Sequence, residues 1–168
     1  MVNQKEVVDA SSLAKALLEY ALKPASPELK QKCTPHYLDE LRFLKLFSVD
    51  YVLGVKAMAE PTFTSVRTHY NLEIERICGK ELPFAHSRVI ARFAEYSEAS
   101  NSNTLAPKEY KGKRLVFWEL GKAFSRLASD ADPWVPSALE VTLHANIFVG
   151  DCKRLAAFLE RYDIAQTI

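Results

Sequence analysis

The spacing of apolar residues between prolines is the feature that most constrains the fold of this chain. In nearly every segment apolar side chains recur at intervals of three and four residues, as in the run Phe63, Val66, Tyr70, Ile74 and Ile77. That period matches one face of an α-helix, whereas a half-buried strand would alternate apolar and polar residues. Strong alternation is absent and only five glycines occur. The pattern therefore predicts an all-α protein without a sheet.

Prolines and short polar clusters divide this pattern into about six helices. The helices are predicted over about 11–23, 34–59, 62–78, 83–97, 108–128 and 137–162. Thr34 and Asp132 are candidate N-caps, and Gly79 suits a helix C-terminus. Residues 1–10 form a candidate flexible tail, and 99–107 form the main loop. Helices joined by short loops predict a single-domain bundle over residues 1–168.

The composition is that of a globular protein. Of the 168 residues, 48% are hydrophobic and 26% are charged, which disfavours disorder. No apolar run approaches the roughly 20 residues of a membrane-spanning helix, and no secretory signal is visible. The three cysteines lack CxxC spacing, so we expect free thiols and no structural zinc. These features predict a cytoplasmic protein without membrane contact.

Motifs of common enzyme classes are absent from the sequence. It contains no GxSxG, P-loop, GxGxxG, HExxH or EF-hand pattern. Di-metal sites in helical bundles use Glu-x-x-His pairs, and none occurs. His69, Glu73 and Arg76 fit a solvated ion-pair cluster better than a ligand set. We therefore predict no catalytic residue, no metal site and no cofactor.

Four polar residues occupy positions that the helical period assigns to apolar faces. Asp50 lies in Phe43–Val55, where nine of thirteen residues are apolar. His86, His144 and Asp151 lie on the apolar stripes of their own helices. Burying a lone charge is costly, so each charged group needs a partner or a proton. We expect Asp50 to be buried beside a polar partner.

Two interpretations of this polar set are open. In one, Asp50, His86 and His144 converge inside the bundle, where they bind a small ligand or a metal, or perform acid–base chemistry as an enzyme. In the other, each residue is satisfied by structural hydrogen bonds, which is the usual state of buried polar groups. The second interpretation is favoured for that reason.

The segment Lys108–Ala128 has two apolar faces if it forms one helix. Phe117, Leu120, Phe124 and Leu127 share the face predicted to enter the core. The other face carries a mixed apolar and basic set at steps of three and four residues, namely Lys111, Leu115, Trp118, Lys122 and Arg126. Residues 107–128 hold six basic and two acidic residues, a net charge of +4 in a chain of net charge +1.

Three roles fit this second face. Its basic side chains can cover apolar surface inside the bundle. It can bind another protein or a second copy, because Trp and Arg are enriched at interfaces. It can also bind nucleic acid through phosphate contacts and stacking, although a near-neutral chain disfavours that role. We therefore predict a non-catalytic binding or adaptor protein with a protein–protein or self-association surface on helix 107–128, which requires an exposed Trp118.

Overall fold

The computed structural model of the protein describes residues 5–102, 117–131, 134–135 and 137–165. Seven helices and two short strands lie in these ranges, which confirms the predicted all-α class. Their order is β1 (Glu6–Val8), α1 (Ala10–Ala21), α2 (Pro27–Lys32), α3 (Pro35–Ala59), α4 (Phe63–Ile77), α5 (His86–Asn101), α6 (Trp118–Ala128), α7 (Ala138–Leu159) and β2 (Tyr162–Ile164).

Local signals account for several of these boundaries. The predicted cap before α3 is present, because the Tyr37 backbone N–H donates to Thr34 Oγ1 at 3.2 Å. Gly79 follows α4 with φ +71°, a left-handed conformation that favours glycine. Asp9 caps α1 by accepting from the Ser12 backbone N–H at 2.9 Å. The candidate cap Asp132 lies outside the described residues.

Some predicted boundaries are wrong. The six-residue helix α2 was not predicted, because it lies between two prolines in a segment that resembles a loop. Helix α5 begins at His86 rather than Pro83 and continues to Asn101, so residues 99–101 of the predicted loop are helical. Residues 103–107 of that loop lie outside the described ranges.

The predicted absence of a sheet is also wrong, although only by two short strands. β1 and β2 pair in parallel, with Glu6 opposite Tyr162 and Val8 opposite Ile164. Residues 6–8 of the candidate tail therefore form a strand. Three-residue strands carry too little alternation to be detected from sequence, and this pairing joins the two ends of the chain.

Helix α6 is shorter than the predicted helix 108–128. It begins at Trp118, directly after Phe117, whose φ of 69° is left-handed. A right-handed helix cannot pass through that conformation, so the prediction of one continuous helix is wrong at Phe117. Residues 108–116 are outside the described part of the chain.

The residues group into two compact units. Unit 1 comprises Met1–Lys23, Lys45–Arg88 and Asp151–Ile168, and unit 2 comprises Pro24–Leu44 and Val89–Gly150. Helices α3, α5 and α7 each contribute residues to both units. The division into units does not test whether residues 1–168 form a single domain, which stays a prediction.

Each unit has an apolar interior built on helix faces. In unit 1, α1 packs against α4, and the Tyr70 hydroxyl donates to the Leu46 carbonyl at 3.0 Å. In unit 2, α6 and α7 approach closely at Gly121, where a Cβ would lie 2.5 Å from the Val141 carbonyl oxygen and 3.0 Å from Ala145 Cβ. The absence of a side chain at Gly121 is what allows this approach.

Candidate functional site

Asp50 is buried and paired, as predicted. Its side chain accepts from Arg67 Nε at 2.8 Å and Arg67 Nη2 at 2.7 Å, and Asn71 Nδ2 donates at 3.0 Å. The residue is 6% exposed. Gly54 leaves room for the guanidinium, since a Cβ there would lie 3.2 Å from Arg67 Nη1. These charge-assisted bonds satisfy the carboxylate, so Asp50 has a structural role within unit 1.

His144 is buried in unit 2 between two hydroxyl groups. Ser125 Oγ lies 2.7 Å from its Nδ1, and the Tyr37 hydroxyl lies 3.1 Å from its Nε2. Burial lowers the pKa of His144 to about 4, so the ring is neutral at pH 7. A Ser–His contact suits a nucleophile and its base. Ser125 is fully buried, however, so the cluster offers no exposed nucleophile to a substrate.

The sequence-selected polar residues have separate surroundings. Asp50 binds Arg67 and Asn71, whereas His144 contacts Tyr37 and Ser125, so the two sets share no residue. His86 is half-buried at the first position of α5. Within the described ranges, no group of three or more His, Cys, Asp or Glu side chains could hold a metal ion. Asp50 and His144 are each satisfied by hydrogen bonds within their own surroundings, which agrees with the interpretation of these residues as structural.

Trp118 does not meet the requirement of the predicted partner surface. It is 4% exposed and packs against Val141, with Trp134 and Ala138 beside it. The predicted face assumed a helix that continues through Phe117, and the left-handed Phe117 removes that premise. Lys111 and Leu115 lie outside the described residues. Trp118 therefore belongs to the interior of unit 2.

The other two members of that face line a groove. Lys122 and Arg126 border a space of about 430 Å³ between α5 and α6, which we call the α5–α6 groove. Its other walls carry acidic residues and an indole, from Glu95, Glu98, Glu119 and Trp134. Lys122 donates to Glu119 at 2.9 Å, so part of the basic charge is already paired.

Sequence reasoning missed a buried ion pair in the same unit. Glu40 is fully buried and accepts from Arg92 Nε and Nη2 at distances from 2.9 to 3.1 Å. Arg92 also donates to Glu95 at 3.0 Å. This fork geometry satisfies both charges, as a buried pair requires. The pair is a structural feature of unit 2.

Sequence reasoning also missed a groove in unit 1. Helices α1 and α7 enclose a space of about 480 Å³, which we call the α1–α7 groove. Leu155, Phe158, Ala16 and Ala157 supply its apolar surface. Three cations and one acid complete the lining, together with the Tyr20 ring: Lys23, Arg154, Arg161 and Glu19. The groove therefore combines an apolar surface with a net positive charge.

Asp151 lies against one end of this groove. Its Oδ1 accepts from the Tyr20 hydroxyl at 3.3 Å and from Arg154 Nη2, and Arg154 Nε donates to the Tyr20 hydroxyl at 3.5 Å. The hydrogen bonds with Tyr20 and Asp151 raise the pKa of Arg154. Asp151 is buried, as its apolar stripe predicted, and its Oδ2 has no partner among the described residues.

A sequence signal for this groove exists but is incomplete. In the predicted helices 11–23 and 137–162, Tyr20 and Lys23 are three residues apart, and Arg154, Phe158 and Arg161 are spaced by four and three. Each set therefore shares one helix face. Tyr20 is 131 residues from Asp151 and 134 from Arg154 along the chain, so the proximity of the two helices depends on the tertiary structure.

No helix in the described ranges has both the length and the apolar character needed to cross a membrane. We compared the chain with models of known protein families, with curated proteins and with solved structures, and it matches none of them.

Proposed function

We propose that the protein is a non-catalytic binding protein and that the α1–α7 groove is its binding site. The observation that carries the proposal is the lining of this groove, in which apolar side chains lie between exposed cations. Its volume of about 480 Å³ falls in the range of roughly 300–1,000 Å³ that is typical of small-ligand sites. A ligand of that size would bury its apolar part against Leu155 and Phe158.

The hydrogen bonds of the buried polar residues in the described ranges support a binding role. Asp50 and Glu40 are held by arginines, and Ser125 and His144 are buried together. The residues that line the α1–α7 groove include no His, Cys or Ser. Nucleophilic catalysis by Ser or Cys and acid–base catalysis by His therefore have no residue in this lining. The groove is therefore better suited to holding a ligand than to transforming it.

The charged side chains that line the α1–α7 groove favour a negatively charged ligand. Lys23, Arg154 and Arg161 are all exposed, and only Glu19 opposes them in the lining. Among the described residues, Lys23 and Arg161 have no ion-pair partner. Unpaired cations beside an apolar wall attract an anion and strengthen its contacts as water is displaced.

The proposal predicts that filling the groove abolishes binding. Ala157 is exposed and lines the groove, so Ala157→Trp places an indole in the space of the ligand. We expect Ala157→Trp to weaken binding of the anionic aromatic probe 8-anilinonaphthalene-1-sulfonate by at least about tenfold, equivalent to about 1.4 kcal/mol. A fluorescence titration measures this affinity.

Ala156→Trp is the matched control. Ala156 is the neighbouring exposed alanine of α7 and does not line the groove. We expect its affinity for the probe to stay within about twofold of wild type, a change of less than about 0.5 kcal/mol. Equal losses in the two variants would contradict the proposal, as would an unchanged affinity in Ala157→Trp.

A second candidate function is association with another protein, or with a second copy of this chain, through the α5–α6 groove. The observation that favours it is the presence of Lys122 and Arg126 opposite Glu95 and Glu98, which offers charges of both signs to a partner. It retains two residues of the surface predicted from sequence. The nucleic-acid alternative depends on basic residues that include Lys108 and Arg114, outside the described ranges.

A cytoplasmic location is part of the proposal. Its support is that Cys33, Cys78 and Cys152 are all free thiols. Reducing compartments keep thiols in this state.

A further inference from the structure

The α1–α7 groove has a defined direction, because its two helices are antiparallel. The parallel pairing of β1 and β2 brings the start of α1 close to the end of α7. Further along, Tyr20 of α1 meets Asp151 and Arg154 of α7. Arg154 and Arg161 are therefore at opposite ends of the groove, with Phe158 between them.

The Arg154 end is the more organised of the two. Asp151 and Tyr20 hold the guanidinium through Nη2 and Nε, yet 65% of the Arg154 side chain remains exposed. Lys23 lies at the same end, with its Nζ 6.0 Å from the centre of the Tyr20 ring. At the other end, the Arg161 side chain has no ion-pair partner in the described part of the chain.

Asp151 needs an explanation beyond stability. It is a buried carboxylate whose Oδ2 has no partner among the described residues, although such groups are normally satisfied. What its Oδ1 does is fix Arg154 and the Tyr20 hydroxyl in one arrangement. An arginine held in this way loses less conformational entropy when it binds an anion.

The local charges limit the ligand to a single negative charge. The lining holds three cations, Lys23, Arg154 and Arg161, and one acid, Glu19. With Asp151, which is bonded to Arg154, the groove has a net charge of +1. A polyphosphate or a strongly acidic peptide would bring more negative charge than this groove can compensate.

We propose that the α1–α7 groove binds a monocarboxylate with an apolar tail, its carboxylate at Arg154 and its tail along Leu155 and Phe158. Asp151 and Tyr20 are positioning residues that hold Arg154 for this contact. This inference rests on the proposed function, because it names the ligand class of the same groove.

Calorimetric titration with octanoate and with 1-octanol tests the inference, since the two ligands share a tail and differ in charge. We expect wild type to bind octanoate at least about tenfold more tightly than octanol. Arg154→Met should remove most of that preference while leaving octanol affinity within about twofold. Lys153→Met is the matched control, because Lys153 is an exposed cation of α7 that does not line the groove, and it should keep the preference.

Tyr20→Phe tests the positioning role without removing a charge. We expect it to lower octanoate affinity about threefold and to leave octanol affinity unchanged. The ratio of the two affinities would therefore fall about threefold, whereas a general loss of stability would not alter this ratio. It also serves if Arg154→Met fails to fold, because Arg154→Met leaves the buried Asp151 unpaired.

The outcomes separate this inference from the proposed function. Equal affinity for octanoate and octanol, or equal losses in Arg154→Met and Lys153→Met, would overturn the inference while groove binding stands. An octanoate preference that Tyr20→Phe leaves intact would also overturn it. Absence of binding of both ligands to wild type would contradict the proposed function itself.

Discussion

His144 shows how burial alone can set the protonation state of a side chain in this protein. Its two ring nitrogens contact the hydroxyls of Ser125 and Tyr37, and desolvation lowers its pKa to about 4. The folded protein therefore needs a neutral ring. Because the unfolded chain binds a proton near the ordinary pKa of 6.5, acid favours unfolding through this residue.

We predict that the free energy of unfolding falls by about 2 kcal/mol between pH 7 and pH 5 through His144. The contribution is complete above pH 6.5, because a lowered folded pKa penalises protonation only below the unfolded value. It declines as the pH falls towards about 4. Urea unfolding at several pH values measures it.

His144→Gln is the control, because glutamine can hydrogen-bond but does not titrate in this range. Its unfolding free energy should depend much less on pH between 7 and 5, whatever its absolute stability. A wild type and a His144→Gln variant with the same pH dependence would show that His144 is not responsible.

At the scale of elements, α6 is an interior helix with one accessible edge. Trp118 packs against Val141 of α7, and Gly121 lets the two helices approach. Lys122 and Arg126 occupy the accessible edge. Sequence spacing predicted one surface for Trp118, Lys122 and Arg126. In the structure, Trp118 is buried and the two cations line the α5–α6 groove.

We predict that Trp118→Ala lowers the free energy of unfolding by about 3–5 kcal/mol, the usual range for truncating a buried tryptophan. Leu139→Ala is the control, since Leu139 lies on α7 two residues before Val141 but is 80% exposed. Its loss should stay within about 0.5 kcal/mol. A Trp118→Ala variant as stable as wild type would place Trp118 outside the interior.

Features that depend on neighbouring residues could be predicted from the sequence, whereas contacts between distant residues could not. Thr34 and Gly79 act through their immediate neighbours, so their roles at helix ends were predictable. The helical period continues across Phe117 although the helix does not, because periodicity carries no information on a single left-handed residue. The Tyr20–Arg154 contact could not be predicted, since it depends on a pairing between opposite ends of the chain.

At the scale of the whole molecule, the small net charge differs from the local charge of the α1–α7 groove. The net charge of +1 is compatible with a groove in which three cations face one acid. Long-range attraction to polyanions is therefore weak, and a ligand would be selected by close contacts in the groove. We propose that α1 and the part of α7 in unit 1 form this binding site.

Residue-resolved NMR titration of the full chain with octanoate tests that claim most directly. We predict that the backbone amide shifts that change with ligand concentration belong to residues 16–23 and 154–161, and that they report one dissociation constant. Residues 95–102 and 119–126 of the α5–α6 groove provide the internal comparison. Shifts centred on those residues, or spread evenly over the chain, would contradict the account.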